Sequence, residues 1–124
     1  MKFKIDTKDT FSTIRPENGP IDAILTGELN EMCGNMRQSG SHNFIIDFQN
    51  CDAMEPGAVN ELIAMHEESY AEEQSLVFTG INDAVMAELK KNEADLLLNI
   101  APKMIEAIDI ISMEILERDL LGEE

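Results

Sequence analysis

The stretch 44–59, FIIDFQNCDAMEPGAV, constrains the fold more than any other part of the sequence. It opens with a run from Phe44 to Phe48 that is apolar and β-branched except for one aspartate, a composition typical of a central strand covered on both faces. An apolar pattern of helical period begins at Val59. The residues between them are therefore predicted to form a strand-to-helix loop. In open α/β sheets, such loops at the carboxyl ends of strands meet ligands and partners.

The charge of the chain excludes several kinds of partner. It carries 25 acidic against 9 basic residues, a formal net charge of −16, which repels phosphate backbones and anionic lipid headgroups. Its apolar runs are shorter than the roughly 20 residues of a membrane helix, and its N-terminus has no hydrophobic signal region. We therefore predict a cytoplasmic protein with no nucleic-acid partner and no membrane insertion. Cys33 and Cys51, which lack metal-ligand spacing, fit a reducing compartment.

Alternating strand and helix signals predict one α/β domain over residues 1–124. The predicted strands are 2–6, 11–16, 44–48, 75–79 and 96–100, and the predicted helices are about 24–39, 56–73, 82–92 and 102–121. The order β-β-α-β-α-β-α-β-α indicates a mixed, mostly parallel sheet of four to five strands with four main helices. Residues 17–20 are interpreted as a turn, and Asp22 and Asn82 as helix N-caps. Gly80 provides a tight exit from the strand before it.

Two local patterns, combined with this order, resemble the STAS domain, the fold of bacterial anti-sigma factor antagonists. The first is Gly19-Pro20-Ile21-Asp22 with Leu29, which is similar to the family's Gly-x-Leu-Asp turn before its first helix. The second is 45–48, IIDF, with Gly57 ending the loop at the head of the second helix. The resemblance covers about residues 2–110. It implies a protein-binding regulatory module that works by partner switching, with an anti-sigma factor or related kinase as its partner.

The sequence departs from the family pattern at the serine that the partner kinases phosphorylate. Counting back from Gly57, this serine falls on Pro56, the serine before it on Glu55, and the family's aspartate on Met54. Proline has no hydroxyl, so phosphoryl transfer to this position is chemically impossible. Two interpretations of Glu55 stay open. Its carboxylate partly imitates the charge of about −1.5 to −2 of a phosphoserine at a helix N-terminus, or Glu-Pro is ordinary chemistry of a helix start.

The predicted partner-binding surface joins the loop, the start of the second helix and the turn before the first helix. Its residues are Asp22, Asp52, Met54, Glu55, Pro56, Gly57 and Val59. By the resemblance, Asp22 matches an aspartate that borders the partner-facing and nucleotide-facing surface, and its role as an N-cap is an equal alternative. A small-ligand or nucleotide binder at these loops is a further alternative, although no cofactor is predicted.

The sequence offers little catalytic chemistry. It has no glycine-rich phosphate loop, no nucleophile elbow and no paired metal-binding histidines, so we predict neither an enzyme nor a metal site. Asp47, within the core strand, is interpreted as a carboxylate that hydrogen-bonds a neighbouring loop. His66 is interpreted as a histidine at the edge of the core, because no Ser, Cys or Asp is placed to form a dyad with it.

The last predicted helix has more apolar residues than one packed face needs. A helix that covers a sheet requires an apolar stripe of about 100°, and the apolar positions between 104 and 121 exceed it. A partner chain or a homodimer contact would cover the excess, with Ile111, Ile115, Leu116 and Leu120 as contact residues. The alternative is a small core wrapped around a bent helix. A second function follows, that of an adaptor or accessory subunit of a larger complex, for example a transporter, that assembles through this helix.

Overall fold

A computed structural model of the chain describes residues 2–122. Its strands are β1 (Phe3–Thr7), β2 (Ser12–Pro16), β3 (Gly19–Ile21), β4 (Phe44–Asp47), β5 (Cys51–Met54) and β6 (Leu76–Thr79). Its helices are α1 (Ala23–Gln38), α2 (Pro56–Ala71), α3 (Asp83–Lys91), α4 (Ala94–Leu97) and α5 (Met104–Gly122). The four long helices lie within a few residues of their predicted bounds, because each has a clear cap, proline or apolar period in the sequence.

The main sheet has the strand order β1-β2-β4-β6. β1 pairs antiparallel with β2, whereas β2 with β4 and β4 with β6 are parallel pairs. Ile14 lies opposite both Ile5 and Ile46, and Ile46 lies opposite Phe78, so one apolar row crosses the sheet. The predicted mixed, mostly parallel α/β fold is therefore confirmed, and β1 is an edge strand as its alternating sequence indicated.

Successive side chains of a strand point to opposite faces, which divides the core into two clusters. On one face Phe44, Ile46 and Phe78 pack in the larger cluster with residues of α1, α2 and α3. On the other face Ile45 and Val77 pack with residues of α5 and the segment before it, in the cluster Ile45, Val77, Ala101, Ala107 and Ile111. α5 is thus the helix of the second face, and it packs on β4 and β6.

The segments 17–20 and 52–54 differ from their prediction as a turn and a loop. They contribute to β3 and β5, which pair in parallel as a separate two-stranded sheet. In that pair Gly19 lies opposite Cys51 and Ile21 lies opposite Met54. Neither segment has the apolar alternation of a strand. Both strands form because two backbone segments that are distant in the sequence pair with each other, and local sequence does not encode such a pairing.

The predicted last strand, 96–100, is wrong. Its first part is the end of the short helix α4, and Leu96 and Leu97 are exposed. Only Ile100 makes a bridge, parallel to Phe78, while the Phe78 N–H donates to the Asn99 carbonyl at 2.9 Å. A short apolar run does not distinguish a strand from a helical turn, and here the sheet ends at β6.

The C-terminal end of β4 is fixed by Asp47, which is 4% exposed. Its Oδ1 accepts from the Gln49 N–H at 3.0 Å, and its Oδ2 accepts from Gln49 Nε2 at 2.7 Å and from Arg15 Nε at 3.3 Å. Gly80, at a φ of +71°, packs against this turn, and a Cβ there would lie 2.7 Å from the Gln49 nitrogen. The predicted loop-bonding role of Asp47 and the tight exit at Gly80 are both confirmed.

A polar cluster at the opposite end of the sheet fastens α5 to α2 and β6. The Glu114 carboxylate accepts from the Tyr70 hydroxyl at 2.8 Å, from Ser75 Oγ at 2.5 Å and from Asn99 Nδ2 at 3.1 Å. Arg118 Nη2 donates to Ser75 Oγ at 2.8 Å. We call these five residues the Glu114 network. Ser75 is fully buried and the other four are partly buried, so the network satisfies polar groups that would otherwise lose water at a cost.

Candidate protein-binding site

The predicted partner surface is built on the pair β3–β5. Because Ile21 and Met54 are paired, the next residues along each strand, Asp22 and Glu55, emerge side by side. The Glu55 N–H donates to the Ile21 carbonyl at 2.9 Å and closes the pair. α1 and α2 begin immediately afterwards, so two helix N-termini lie next to each other at the carboxyl ends of the strands.

A third helix begins at the same edge through Asn82. Its Oδ1 accepts from the Val85 N–H at 2.8 Å and caps α3, as the sequence predicted. Its Nδ2 donates to the carbonyls of Cys51 and Asp52 at 3.3 and 3.2 Å, which joins α3 to β5. The cap was predictable from the sequence, whereas this second contact was not, because it depends on the pairing of β3 with β5.

The N-termini of α1 and α2 are capped differently. Asp22 Oδ1 accepts from the Leu25 N–H at 2.8 Å, which confirms Asp22 as the N-cap of α1. Glu55 occupies the same position of α2, but within the described part of the chain its carboxylate accepts no hydrogen bond from an N–H of that helix. Pro56 follows at the first helical position, where its missing N–H has no partner to lose. The Glu55 carboxylate therefore stands at an exposed helix start without a capping bond to the described part of α2.

Only some of the residues predicted for the partner-binding surface are exposed. Asp52, Glu55, Pro56 and Gly57 are exposed and Asp22 is half-buried, so these five are available to a partner. Val59 is fully buried and Met54 is 7% exposed, and both belong to the core cluster under α2. The inclusion of Met54 and Val59 as contact residues is therefore wrong, because the last residue of β5 and the second buried residue of α2 both face inward.

One residue of the site was missed. Ile24, the first apolar residue of the predicted helix 24–39, is 71% exposed beside Asp22. It is the second residue of the helix, before the turn that packs on the sheet. We call the exposed and half-exposed set Asp22, Ile24, Asp52, Glu55, Pro56 and Gly57 the corner. It combines one large apolar side chain with three carboxylates.

The predicted contact residues of the last helix also divide. Ile111 is fully buried against Ile45 and Val77, and Ile115 is partly buried against the same cluster. Ile111 is therefore unavailable to another molecule, because its side of α5 faces the sheet. Leu116 and Leu120 are 58% and 60% exposed.

Burial limits the reactivity of both cysteine thiols and lowers the basicity of His66. Burial raises the pKa of Cys33 and of Cys51 to about 11, so both thiols stay protonated and unreactive at neutral pH. His66 packs against the Tyr70 ring with 4.6 Å between centroids, and burial lowers its pKa. Among residues 2–122, no group of three or more His, Cys, Asp or Glu side chains is arranged to hold a metal ion. None of the helices in this range is both long and apolar enough to span a bilayer.

Comparison with known proteins shows which solved structures share this fold. No family model and no curated relative matches the sequence. A candidate anti-sigma factor antagonist from Thermotoga maritima superposes with a TM-score of 0.77 at 11% identity, over 89% of this chain and 94% of its own. The Bacillus anti-sigma factor antagonist SpoIIAA in its unphosphorylated form superposes with a TM-score of 0.69 at 16% identity, over 90% and 96%.

A much larger protein contains the same fold. The chain superposes on SLC26A9 with a TM-score of 0.63 at 12% identity, over 90% of this chain but only 21% of that one. The fold therefore occurs both as a small separate protein and as part of a larger one. The strand order, the convergence of three helix starts at one edge and these superpositions agree with the resemblance of the sequence. The chain has the STAS fold of the anti-sigma factor antagonists.

Proposed function

We propose that the chain is a non-catalytic regulatory domain that recognises another protein through the corner. The observation that carries this proposal is the exposed helix start at Glu55, Pro56 and Gly57, next to Asp22. Its polar groups are open to a partner, whereas the carboxylates of Asp47 and Glu114 elsewhere in the chain are engaged by hydrogen bonds. An anti-sigma factor or a related kinase in the cytoplasm is the proposed partner, by the likeness in fold to anti-sigma factor antagonists.

We further propose that recognition at the corner is not controlled by phosphorylation of the corner. SpoIIAA has been solved in phosphorylated and unphosphorylated forms. In this chain the position matched to the phosphoserine is Pro56, which has no hydroxyl. The Glu55 carboxylate supplies a permanent negative charge one residue earlier. Because it caps no N–H of α2, Glu55 acts at this helix start through its charge alone, either as a partial imitation of phosphate or as the ordinary acidic residue of a helix start.

A pair of glycine variants tests the role of the corner. The partner is first captured from native lysate on the full chain and identified, and its affinity is then measured for wild type, Gly57→Gln and Gly34→Gln. Both glycines are helical and have no atom within 4 Å of an added Cβ, so neither variant strains the fold. Gly34 lies about 16 Å along α1 from its start and serves as the control. We expect Gly57→Gln to weaken binding at least about tenfold and Gly34→Gln to leave it unchanged.

The two interpretations of Glu55 are separated by Glu55→Gln in the same assay. This variant keeps the shape of the side chain and removes its charge. If the carboxylate imitates a phosphate, the partner binds more weakly and the loss decreases at high salt. Unchanged affinity would leave Glu55 with only its place at the helix start.

A second candidate function is supported by α5. Leu116 and Leu120 are exposed, and the fold also occurs within SLC26A9. An adaptor or accessory subunit would use this helix to join a larger complex. In the capture experiment, loss of the partner by Leu116→Ser with retention by Gly57→Gln would favour this function over the first.

A further inference from the structure

The outer face of α5 is an apolar stripe that the rest of the described chain, residues 2–122, leaves exposed. We define it by Ile105, Met113, Leu116 and Leu120, which are 67%, 63%, 58% and 60% exposed. The last three are spaced by three and four residues and therefore lie on one side of the helix. From first to last the stripe extends about 22 Å, the length of four helical turns. Asp109 lies between Ile105 and Met113 on the same side, so the contiguous apolar part is formed by Met113, Leu116 and Leu120. Exposed apolar area of this kind marks an interaction surface.

The exposed charged residues of α5 are all acidic. They are Glu106, Asp109, Glu117 and Asp119, and we call them the rim of the stripe. Between residues 104 and 122 the sequence has one basic residue, Arg118. Arg118 points away from the stripe, since its Nη1 donates to Asn43 Oδ1 at 3.3 Å and its Nη2 donates to Ser75 Oγ. Within residues 104–122 the outer face therefore presents apolar side chains beside carboxylates, and the one cation of this range is turned away from it.

This charge pattern identifies the occupant. A second copy of the chain would bring Glu117 and Asp119 against the same acidic residues across a symmetric helix pair, where like charges repel. An anionic bilayer is repelled in the same way. A helix with apolar residues at i, i+3, i+4 and i+7 and with Lys or Arg beside them satisfies both parts of the face. Two helices pack at about 8 to 10 Å between axes, which brings such cations within reach of the rim.

We propose that the outer face of α5 docks a basic amphipathic helix of another protein. Met113 suits this role, because its flexible side chain adapts to different apolar partners. This surface lies on α5, across the main sheet from α1 and α2, so it is separate from the corner. The proposal stands or falls independently of the function proposed for the corner.

The test uses the full chain and a labelled peptide of about 18 residues made of Leu and Lys in amphipathic helical order. A Leu and Glu peptide of the same pattern is the control ligand, and binding is followed by fluorescence anisotropy. Wild type is compared with the double variant Leu116→Ser, Leu120→Ser and with Leu96→Ser. Leu96 is 77% exposed on α4 and serves as the matched control. Serine at these exposed positions leaves the thermal midpoint unchanged, which is checked for each variant.

We expect wild type to bind the Lys peptide and not the Glu peptide, the double variant to bind at least about tenfold more weakly, and Leu96→Ser to bind within twofold of wild type. Neutralising the rim by Glu117→Gln with Asp119→Asn should weaken binding severalfold and reduce its salt dependence. Equal binding by the double variant would mean that only the net charge of the chain attracts the peptide, and it would overturn the proposal. So would a wild-type dimer that the double variant separates, because the occupant would then be a second copy.

Discussion

The corner, which follows the ends of β3 and β5, and the Glu114 network, which lies at the start of β6, treat their polar groups in opposite ways. In the Glu114 network one carboxylate accepts from three different side chains, and Arg118 donates to Ser75 beside it. At the corner the Glu55 carboxylate is exposed and accepts nothing from α2. The Glu114 network holds α5 in place, whereas the corner leaves its charge available to another molecule.

The largest effect that this comparison predicts is in the Glu114 network. Glu114→Ala removes the acceptor shared by Tyr70, Ser75 and Asn99 and should lower the free energy of unfolding by about 2 to 3 kcal/mol. Glu117→Ala, on the exposed side of the same helix, is the control and should change it by less than about 0.5 kcal/mol. Urea denaturation of both variants measures the difference. Equal small effects would show that the network contributes nothing to holding α5.

The next largest change in unfolding free energy is expected at the starts of α1 and α3, and the start of α2 is compared with them. Asp22→Ala and Asn82→Ala each remove a side-chain cap bonded at 2.8 Å and should cost about 1 kcal/mol of unfolding free energy. Glu55→Ala removes no such bond and should cost less than about 0.5 kcal/mol. The measurement is again urea denaturation. A cost for Glu55→Ala as large as that for Asp22→Ala would mean that Glu55 is a structural cap after all.

A smaller effect concerns His66, which packs on Tyr70 of the Glu114 network. Burial lowers its pKa below 6.5, against the opposing influence of Glu67 and Glu114, so the unfolded chain binds this proton more readily than the folded chain does. The contribution of His66 to stability is complete above about pH 6.5 and is lost as the pH falls below it. His66→Gln should therefore show a smaller fall in thermal midpoint between about pH 7.5 and pH 5.5 than wild type. An identical fall in both proteins would contradict this.

The smallest effect is expected at Cys51, which lies in β5 beneath the corner. Its pKa of about 11 and its burial predict that a thiol reagent at about pH 8 reacts only when the chain opens. Cys33, buried in α1 with a similarly raised pKa, provides the internal reference. The two thiols should react at similar slow rates, measured by mass spectrometry of the labelled protein. Much faster labelling of Cys51 would show that the corner opens locally and is not a preformed surface.

The sequence predicted the parts of the fold that local patterns encode. The strand at Phe44, the N-caps Asp22 and Asn82, the helix start at Pro56 and the exit at Gly80 all carry their own signals. β3 and β5 do not, because their backbone hydrogen bonds join residues 19–21 to residues 51–54. The strand predicted at 96–100 is wrong for a related reason. An apolar run does not show by itself whether another strand is available to pair with it.

The sequence predicted which segments of the corner lie together, but not which of their side chains are exposed. The start of α2 and the Asp22 turn were correctly expected to lie together, since both follow strand ends. Whether a side chain points outward depends on the register of β3 against β5, and this register buries Met54. Ile24 was missed for a related reason. The first turn of α1 extends beyond the sheet, so an apolar residue there keeps the helical period without entering the core.

The affinity of the identified partner for Gly57→Gln, set beside that for Gly34→Gln, tests the role of the corner most directly. The account predicts binding at least about tenfold weaker for Gly57→Gln and unchanged for Gly34→Gln, with a thermal midpoint no lower than that of wild type for either variant. Equal affinity of both variants with wild type would contradict it and would leave α5 as the surface through which this domain acts.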